Sequence, residues 1–459
     1  MIIPKTYFKK ISQYQDQILI IAQLIPYLFY IYLIEIKLDK SVAADSFRYL
    51  WENGSTFAYF TNSSLTIRLI YTFAENNLNL ICQIQLALVA IAQLSIYRYL
   101  KNDKPFNNIA ISAILIIFSL SHHSRWLVDY AMSDSLFISL FFIFLSTYFC
   151  SSKNDSSIRK FTTILITTIF IFSRNLGPYI VLLTIPLITI LNFRYQKYSP
   201  LVIVASILIS ISAISITNKF DTSTELNAAN NITIRILPDE NKTKLFHELY
   251  GMPIGPFVKT CAGGSINSMC FNYQRIQTGS TYTRTYKVTV DDFHFADWIR
   301  EKGMKSWQNY IFFQDTRNTF ETFTKAYKWK FYLMFQTAPS EFWGKQYTII
   351  PDRIDPFVTL YNLYSSLHLN NLLSLLVVIT FSFVIYCTSG LKREFLFTTV
   401  LLIDGLGLFF IGFFGDASSQ RQVYPGILTI YIAQFLFIFF LTKLLFCKLK
   451  YYFLKKQLA

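Results

Sequence analysis

The chain has 459 residues, of which 53% are hydrophobic and 18% aromatic, and its mean hydropathy is positive. This apolar content is far above that of an ordinary soluble domain and predicts an integral membrane protein whose immediate partner is the lipid bilayer. The formal charge of +15 is accounted for by basic loops that orient membrane helices, so it does not indicate a nucleic-acid partner.

A helix needs roughly 17 to 25 apolar residues to cross about 30 Å of hydrocarbon. Several stretches reach that length, and the region from Lys160 to Phe193 divides into two short helices at a turn that contains Arg174 and Gly177-Pro178. The sequence predicts about ten spans in all. In chain order they are 17–37, 79–97, 107–121, 133–150, the two short helices within 160–193, 200–217, 366–387, 395–414 and 423–446.

Lysine and arginine are concentrated in alternate loops and in both terminal segments, as in Lys9-Lys10, Lys392-Arg393 and Lys455-Lys456. Such loops face the cytoplasm. With this number of spans all of them fall on one side, so both termini are predicted to be cytoplasmic. The bias toward Ile, Lys, Asn and Phe and the compact loops favour the inner membrane of an AT-rich bacterium.

The sequence therefore predicts an all-α polytopic membrane protein in three parts. Residues 1–217 form an N-terminal module of about seven helices, with a polar outer loop after the first. An extracytoplasmic α or α+β region, 218–365, is inserted before the last three helices, and 366–459 form the C-terminal module. Spacing of apolar and aromatic residues becomes helix-like from Phe295 to Phe335.

Cys261 and Cys270 lie in the predicted outer region, on either side of Gly263-Gly264. Glycines permit the turn that a short disulfide loop needs, and an oxidising compartment favours the bond. The alternative is a pair of free or metal-binding thiols, but no His or acidic residue lies close enough in sequence to complete a metal-ligand spacing.

Asp45 begins a polar segment a few residues beyond the first apolar stretch. Taken alone, an Asp followed by Ser46 and a helical-looking Phe-Arg-Tyr-Leu-Trp run is typical of a helix N-cap. A carboxylate just outside a membrane span is also a place where a proton can be taken from a substrate.

The second outer segment combines His122, His123, Arg125 and Asp129, and Asp134 follows where the next apolar helix begins. One interpretation is an interfacial turn in an aromatic belt, with an acid or Ser as the helix cap. A metal site is less favoured, because adjacent histidines do not converge easily on one ion.

Arg125, Arg174 and Arg421 are all predicted to face the outer side. Single arginines at a membrane surface are usually anchors, but a guanidinium also binds phosphate through paired hydrogen bonds. A lipid phosphate lies at that depth of the membrane.

Four segments, taken in order and on the same side, resemble the GT-C superfamily of integral-membrane glycosyltransferases, of the protein O-mannosyltransferase and lipid A aminoarabinose transferase type. They are Asp-Ser-x-x-Tyr-Leu at 45–50, Ser-Asp-Ser-Leu-Phe at 133–137, Arg-Asn-Leu-Gly-Pro at 174–178 and Arg-Gln-Val-Tyr-Pro at 421–425. The resemblance covers the first seven spans and the last one. Region 218–365 matches nothing in it.

The resemblance implies transfer of a sugar from a polyprenyl-phosphate donor to a hydroxyl of a glycan, lipid or protein, on the periplasmic face. It implies that Asp45 is the base or orients the acceptor, and that arginines hold the donor phosphate. The implied phosphate-binding residues are Arg421, Arg174 and Arg125. The residues implied to contact substrate are His122, His123, Asp129, Asp134 and Tyr424.

This chain departs from the family at three places. Ser46 follows Asp45 where a second acid is common, Asp134 stands where Glu is common, and Gln422-Val423 separate Arg421 from Tyr424. No metal ligand or cofactor is assigned. We expect an inverting transfer without metal, and a requirement for a divalent cation stays open.

Two other classes stay open. A flippase or transporter would also use buried arginines, but it should show internal repeats and helices broken in matching halves. An O-antigen-type polymerase would share the spans, a large outer region and functional arginines. In this chain the candidate arginines of that outer region are Arg275, Arg284, Arg300, Arg317 and Arg353.

Overall fold

The computed structural model describes a large part of the chain, and nearly all of that part is helical. The described residues are 5–36, 41–42, 65–75, 77–102, 105–119, 130–131, 133–191, 198–220, 228–229, 231–261, 294–295, 297–317, 319–321, 323–324, 327, 371–388, 392–415 and 424–458. The prediction of an all-helical protein is confirmed for them.

The helices of the N-terminal part are α1 (Lys5–Ile36), α2 (Leu65–Phe73), α3 (Leu78–Leu100), α4 (Pro105–Ser119), α5 (Ser133–Cys150), α6 (Ser157–Ile171), α7 (Gly177–Leu191) and α8 (Pro200–Phe220). The inserted region contains α9 (Glu240–Tyr250), α10 (Pro256–Cys261) and α11 (Met304–Asn309), with π-helical turns at Ile232–Ile236, Ile299–Gly303 and Tyr310–Gln314. The last helices are α12 (Leu372–Thr388), α13 (Lys392–Gly415) and α14 (Tyr424–Leu458). Two strands, β1 (Ser41–Val42) and β2 (Tyr130–Ala131), have two residues each.

Every predicted span coincides with or overlaps one of these helices. Within the described residues, four segments are long and apolar enough to cross a membrane: Tyr14–Glu35, Leu78–Leu100, Arg393–Phe413 and Pro425–Leu449. Five further apolar helices in the described part are shorter, at Pro105–Ile116, Ser135–Cys150, Gly177–Leu191, Pro200–Ile216 and Leu372–Thr388. The chain thus has the helices of a membrane protein, and the larger number of spans stays a prediction.

Helix α1 exposes apolar side chains and buries polar ones, the reverse of a helix in a water-soluble protein. Gln23 and Tyr27 are buried, and the Tyr27 hydroxyl donates a 2.7 Å hydrogen bond to Gln93 of α3. Interhelical hydrogen bonds of this kind hold membrane helices together. The exposed stripe recurs at helical spacing and suits contact with lipid; it comprises Ile18, Ile21, Ile25, Leu28 and Tyr32.

Polar contacts gather several helix termini at one end of the bundle, which we call the basic end. Asp16, near the start of α1, pairs with Lys101 at the end of α3 at 2.6 Å. Lys443 of α14 donates to Asn107 at the start of α4 (2.9 Å) and lies 3.7 Å from Glu394 at the start of α13. The loops predicted to be cytoplasmic therefore adjoin helix ends that meet at a common end.

The basic end also carries native cysteines that can test which way the chain faces. Cys150 and Cys447 are exposed free thiols, whereas Cys82 is buried within α3. If both termini are cytoplasmic, a membrane-impermeant maleimide should label Cys447 in inverted vesicles and leave it unlabelled in right-side-out ones. A variant that retains only Cys82 is the control and should react in neither. Labelling of Cys447 from the outside would reverse the orientation.

Helices α13 and α14 approach each other closely at two glycines. A Cβ added to Gly426 would lie 2.4 Å from the Phe409 nitrogen and 2.6 Å from the Gly405 oxygen. These neighbours are backbone atoms, which cannot move aside as a flexible side chain can. Small residues at such crossings allow the close backbone approach that packs membrane helices without help from water.

We expect Gly426→Ala to destabilise the α13–α14 pair by about 1–3 kcal/mol, the usual range for overpacking. The matched control is Gly407→Ala, whose added Cβ meets only the end of the Leu183 side chain, at 3.0 Å. Thermal unfolding in detergent, followed by loss of the monodisperse peak, measures both variants. Equal melting temperatures for the two would contradict the close packing.

The inserted region has its own apolar core and rests on the end of α13 opposite the basic end. In this core the indole of Trp298 donates to the Tyr250 carbonyl at 2.9 Å, and Phe246 packs on Tyr310 with ring centroids 5.2 Å apart. Phe323 packs edge-on against Phe409 of α13 at 5.2 Å. The insertion is helical in its described residues and is anchored to the membrane part.

Candidate functional site

The two short strands join the first and second outer segments of the chain. β1 and β2 are parallel, with Ser41 opposite Tyr130 and Val42 opposite Ala131. Pairing satisfies backbone groups where both segments leave helical structure. Asp45 itself lies outside the described residues and follows Val42 by three positions in the sequence.

Two candidate acids of the second segment flank β2 in the sequence. Asp129 lies outside the described residues and directly precedes Tyr130, and Asp134 is in the first turn of α5. The strands therefore bring together the two segments in which the sequence analysis placed candidate acids.

Helix α2 docks on the end of α6 through a single threonine. The Thr66 backbone N–H donates to the Phe172 carbonyl at 3.0 Å, and its hydroxyl donates to the Ile169 carbonyl at 2.8 Å. The last carbonyls of a helix lack partners within it, so Thr66 supplies donors that α6 would otherwise be without. Helix α2 is thereby fixed to the α6–α7 turn.

Two arginines lie close in sequence to the residues that make this contact. Arg68 of α2 is only 4% exposed, and Arg174 is half-buried in the α6–α7 turn. Arg68 follows Thr66 by two positions, and Arg174 follows Phe172 by two positions. Arg68 was not singled out from the sequence. Its only signal there is that an arginine stands within the short apolar run Ile67-Arg68-Leu69-Ile70.

The turn that holds Arg174 is closed by close backbone contacts. A Cβ on Gly177 would lie 2.6 Å from the Ile171 oxygen, so a side chain there would not fit. The Gly177 N–H donates to the Arg174 carbonyl at 2.9 Å, and the Ser173 hydroxyl donates to the Phe170 carbonyl at 2.6 Å. Helix α7 starts at this turn, and the positive end of its dipole favours an anion near Arg174.

A further arginine links the insertion to the C-terminal end of α13. The Arg235 guanidinium donates to the Phe413 carbonyl at 2.7 Å and lies over the rings of Phe413 (4.3 Å) and Trp307 (5.5 Å). A cation at the C-terminus of a helix satisfies its last carbonyls and its dipole. Arg235, also missed in the sequence, thus fixes the helix end that leads into the segment carrying Arg421.

Several predicted site residues lie outside the described part of the chain: Asp45, His122, His123, Arg125, Asp129, Cys270 and Arg421. Asp134 and Tyr424 are in the first turns of α5 and α14, and their side chains are not described. Cys261, buried at the end of α10, is disulfide-bonded. Among the described residues no group of three or more His, Cys, Asp or Glu could hold a metal.

One carboxyl lies deep within the helices. Asp404, near the middle of α13, is fully buried, and its Oδ2 accepts a 2.8 Å hydrogen bond from the Thr184 hydroxyl of α7. The sequence signal was an acid in the apolar run Leu-Leu-Ile-Asp-Gly, which the sequence analysis did not single out. An ionisable residue within a span is usually functional.

No family model matches the chain, and no curated protein and no solved structure is significantly similar to it.

Proposed function

We propose that the chain is a GT-C-type membrane glycosyltransferase that moves a sugar from a polyprenyl-phosphate donor to an acceptor hydroxyl on the periplasmic face of a bacterial inner membrane. The observation that carries the proposal is the β1–β2 pairing. It joins the Asp45 segment to the Asp129–Asp134 segment. The docking of α2 on α6 adds Arg68 and Arg174 at the end of the neighbouring helices.

In this mechanism the acceptor hydroxyl attacks the anomeric carbon of the sugar while Asp45 takes its proton. The bond from that carbon to the phosphate oxygen breaks, and polyprenyl phosphate leaves with the electron pair. A nearby carboxylate is suited to the proton transfer. Arginines placed at the phosphate stabilise the charge that develops on it, which is the part assigned to Arg174, Arg421 and Arg125.

Asp45→Asn should leave the protein in the membrane and abolish transfer, because an amide cannot accept the proton. The reconstituted chain is given a panel of labelled polyprenyl-phosphate sugars with envelope extract as acceptor source, and release of polyprenyl phosphate is measured. Glu301→Gln, which removes an exposed carboxylate of the inserted region, is the matched control. Full activity in Asp45→Asn would exclude Asp45 as the base.

Arg174→Ala and Arg421→Ala should each raise the donor concentration needed for half-maximal rate about tenfold or more, since a hydrogen bond to a charged group contributes about 1.5–3 kcal/mol. The control is Arg317→Ala, because the Arg317 side chain is 91% exposed and pairs only loosely with Glu321 at 3.6 Å. A donor dependence unchanged from wild type in both variants would contradict a phosphate role.

A flippase or transporter is the second candidate, and Asp404 is the observation that favours it, because buried acids within spans often mark proton or ion pathways. The products distinguish the classes. A transferase adds one sugar, an O-antigen-type polymerase yields a ladder of repeat units, and a flippase moves a lipid-linked glycan without a new covalent bond. Arg300 and Arg317 of the insertion are exposed and paired with neighbouring acids, which gives the polymerase no added support.

A further inference from the structure

Asp404 and Thr184 form a polar pair in the middle of the apolar helices. Asp404 lies eleven residues after Arg393 and nine before Phe413, the limits of the candidate span. Both side chains of the pair are fully buried. Thr184 donates to Oδ2, and Oδ1 has no hydrogen-bond partner among the described residues.

The helices packed around Asp404 bring no described cation to it. Helix α7 contains no charged residue, and its one titratable side chain is Tyr179. At 1.5 Å per residue, Glu394 and Arg393 lie about 15 Å or more along α13. The adjoining insertion places Arg235 at the Phe413 carbonyl and Tyr327 against Phe409. The other charged or titratable residues of α12, α13 and α14 are Tyr386, Cys387, Lys392, Tyr424, Tyr431, Lys443, Cys447, Lys448, Lys450, Tyr451, Tyr452, Lys455 and Lys456.

An ionised carboxylate in this position would be without a counter-charge and without water, a state so costly that buried groups take up a proton instead. A metal cation would need several oxygen ligands, and among the described residues no group of three or more His, Cys, Asp or Glu could hold one. A proton needs only the carboxyl itself.

We propose that Asp404 is a proton-binding site at the middle of the membrane, occupied at neutral pH. Thr184 donates to Oδ2, so the proton resides on Oδ1. In this state the neutral acid joins α7 to α13 by a hydrogen bond. Loss of the proton would create a charge that only incoming water could solvate, and the α7–α13 contact would loosen.

The pair connects the helices that lead to two candidate arginines. Helix α7 starts just after Arg174, and α13 ends just before the segment that carries Arg421. Occupancy by the proton would therefore affect the spacing of these two segments. This consequence depends on the proposed function, whereas the proton site itself does not.

Infrared spectroscopy of the reconstituted full chain tests the site without any assay of activity. At neutral pH we expect the C=O stretch of one protonated carboxyl group, because an ordinary aspartate or glutamate is ionised there. The band should disappear in Asp404→Asn. In Thr184→Val it should persist and move to higher frequency, since its carbonyl oxygen has lost a donor. Glu35→Gln, at an exposed acid of α1, should leave it unchanged.

Absence of the band from the wild-type chain at neutral pH, or its persistence in Asp404→Asn, would overturn the proposal. A band that does not move in Thr184→Val would overturn the assignment of the proton to Oδ1. Because Thr184→Val keeps the carboxyl, it remains informative if the Asn variant does not fold.

Stability against pH gives a second, independent readout. The folded chain would hold a proton that the solvated carboxyl of the unfolded chain releases, so folding stability should fall as pH rises. Between the ordinary aspartate pKa of about 4, which applies to the unfolded chain, and the pH at which the folded chain releases the proton, the unfolding constant of the wild type relative to Asp404→Asn changes about tenfold per pH unit. An identical pH dependence in the two chains, measured by unfolding in mixed detergent, would overturn the proposal.

Discussion

Backbone amide and carbonyl groups find no water within a bilayer, and this constraint determines where the chain can depart from a helix. The described membrane part is helical almost throughout, and each departure is accompanied by donors or acceptors from elsewhere. Thr66 supplies two donors to the end of α6, and Arg235 supplies one to the end of α13. β1 and β2 satisfy each other. Most of these partners lie on the side opposite the basic end.

The same constraint concentrates polar contacts at the ends of the helices. An arginine that satisfies a helix end or lies beside a helix N-terminus is already partly desolvated and oriented, and such a guanidinium binds phosphate more strongly than one in water. Arg68 is buried in α2, and Arg174 lies half-buried in the turn before α7. Arginines of this kind are suited to an anionic group such as a phosphate.

Much of the helical framework could be predicted from sequence, because hydrophobic length is a local property. The two short helices around Arg174 were found from the Gly177-Pro178 break, and the grouping of basic loops agrees with contacts such as Lys443 with Asn107 and Asp16 with Lys101. Helix α2 was not predicted, since nine residues within an outer loop carry too little pattern. The β1–β2 pairing could not be predicted either, because strands of two residues show no periodicity in the sequence.

The candidate residues likewise divide into those recognisable from local sequence and those that depend on tertiary contacts. Asp45 and Arg174 were singled out because a charge beside an apolar stretch is visible in one dimension. Arg68, Arg235 and Asp404 depend on partners over a hundred residues away or on burial, as when Thr184 meets Asp404 across 220 positions. The desolvation free energy of such a buried charge is offset by partners that are distant in sequence. The only local sign is therefore an acid or arginine within an apolar run.

Catalysis at the outer face and a proton site in the interior would place different demands on the same helices. A transferase needs its arginines and base held in fixed positions, because misplacement of about 1 Å can cost a hundredfold in rate. Gly405 and Gly426 supply such rigidity between α13 and α14, since their backbones are in direct contact. The contact between α7 and α13 relies instead on a hydrogen bond to a titratable group and on the flexible end of Leu183 near Gly407. If any helix moves during turnover, this comparison favours α7, which would carry Arg174 with it while the α13–α14 pair stays fixed.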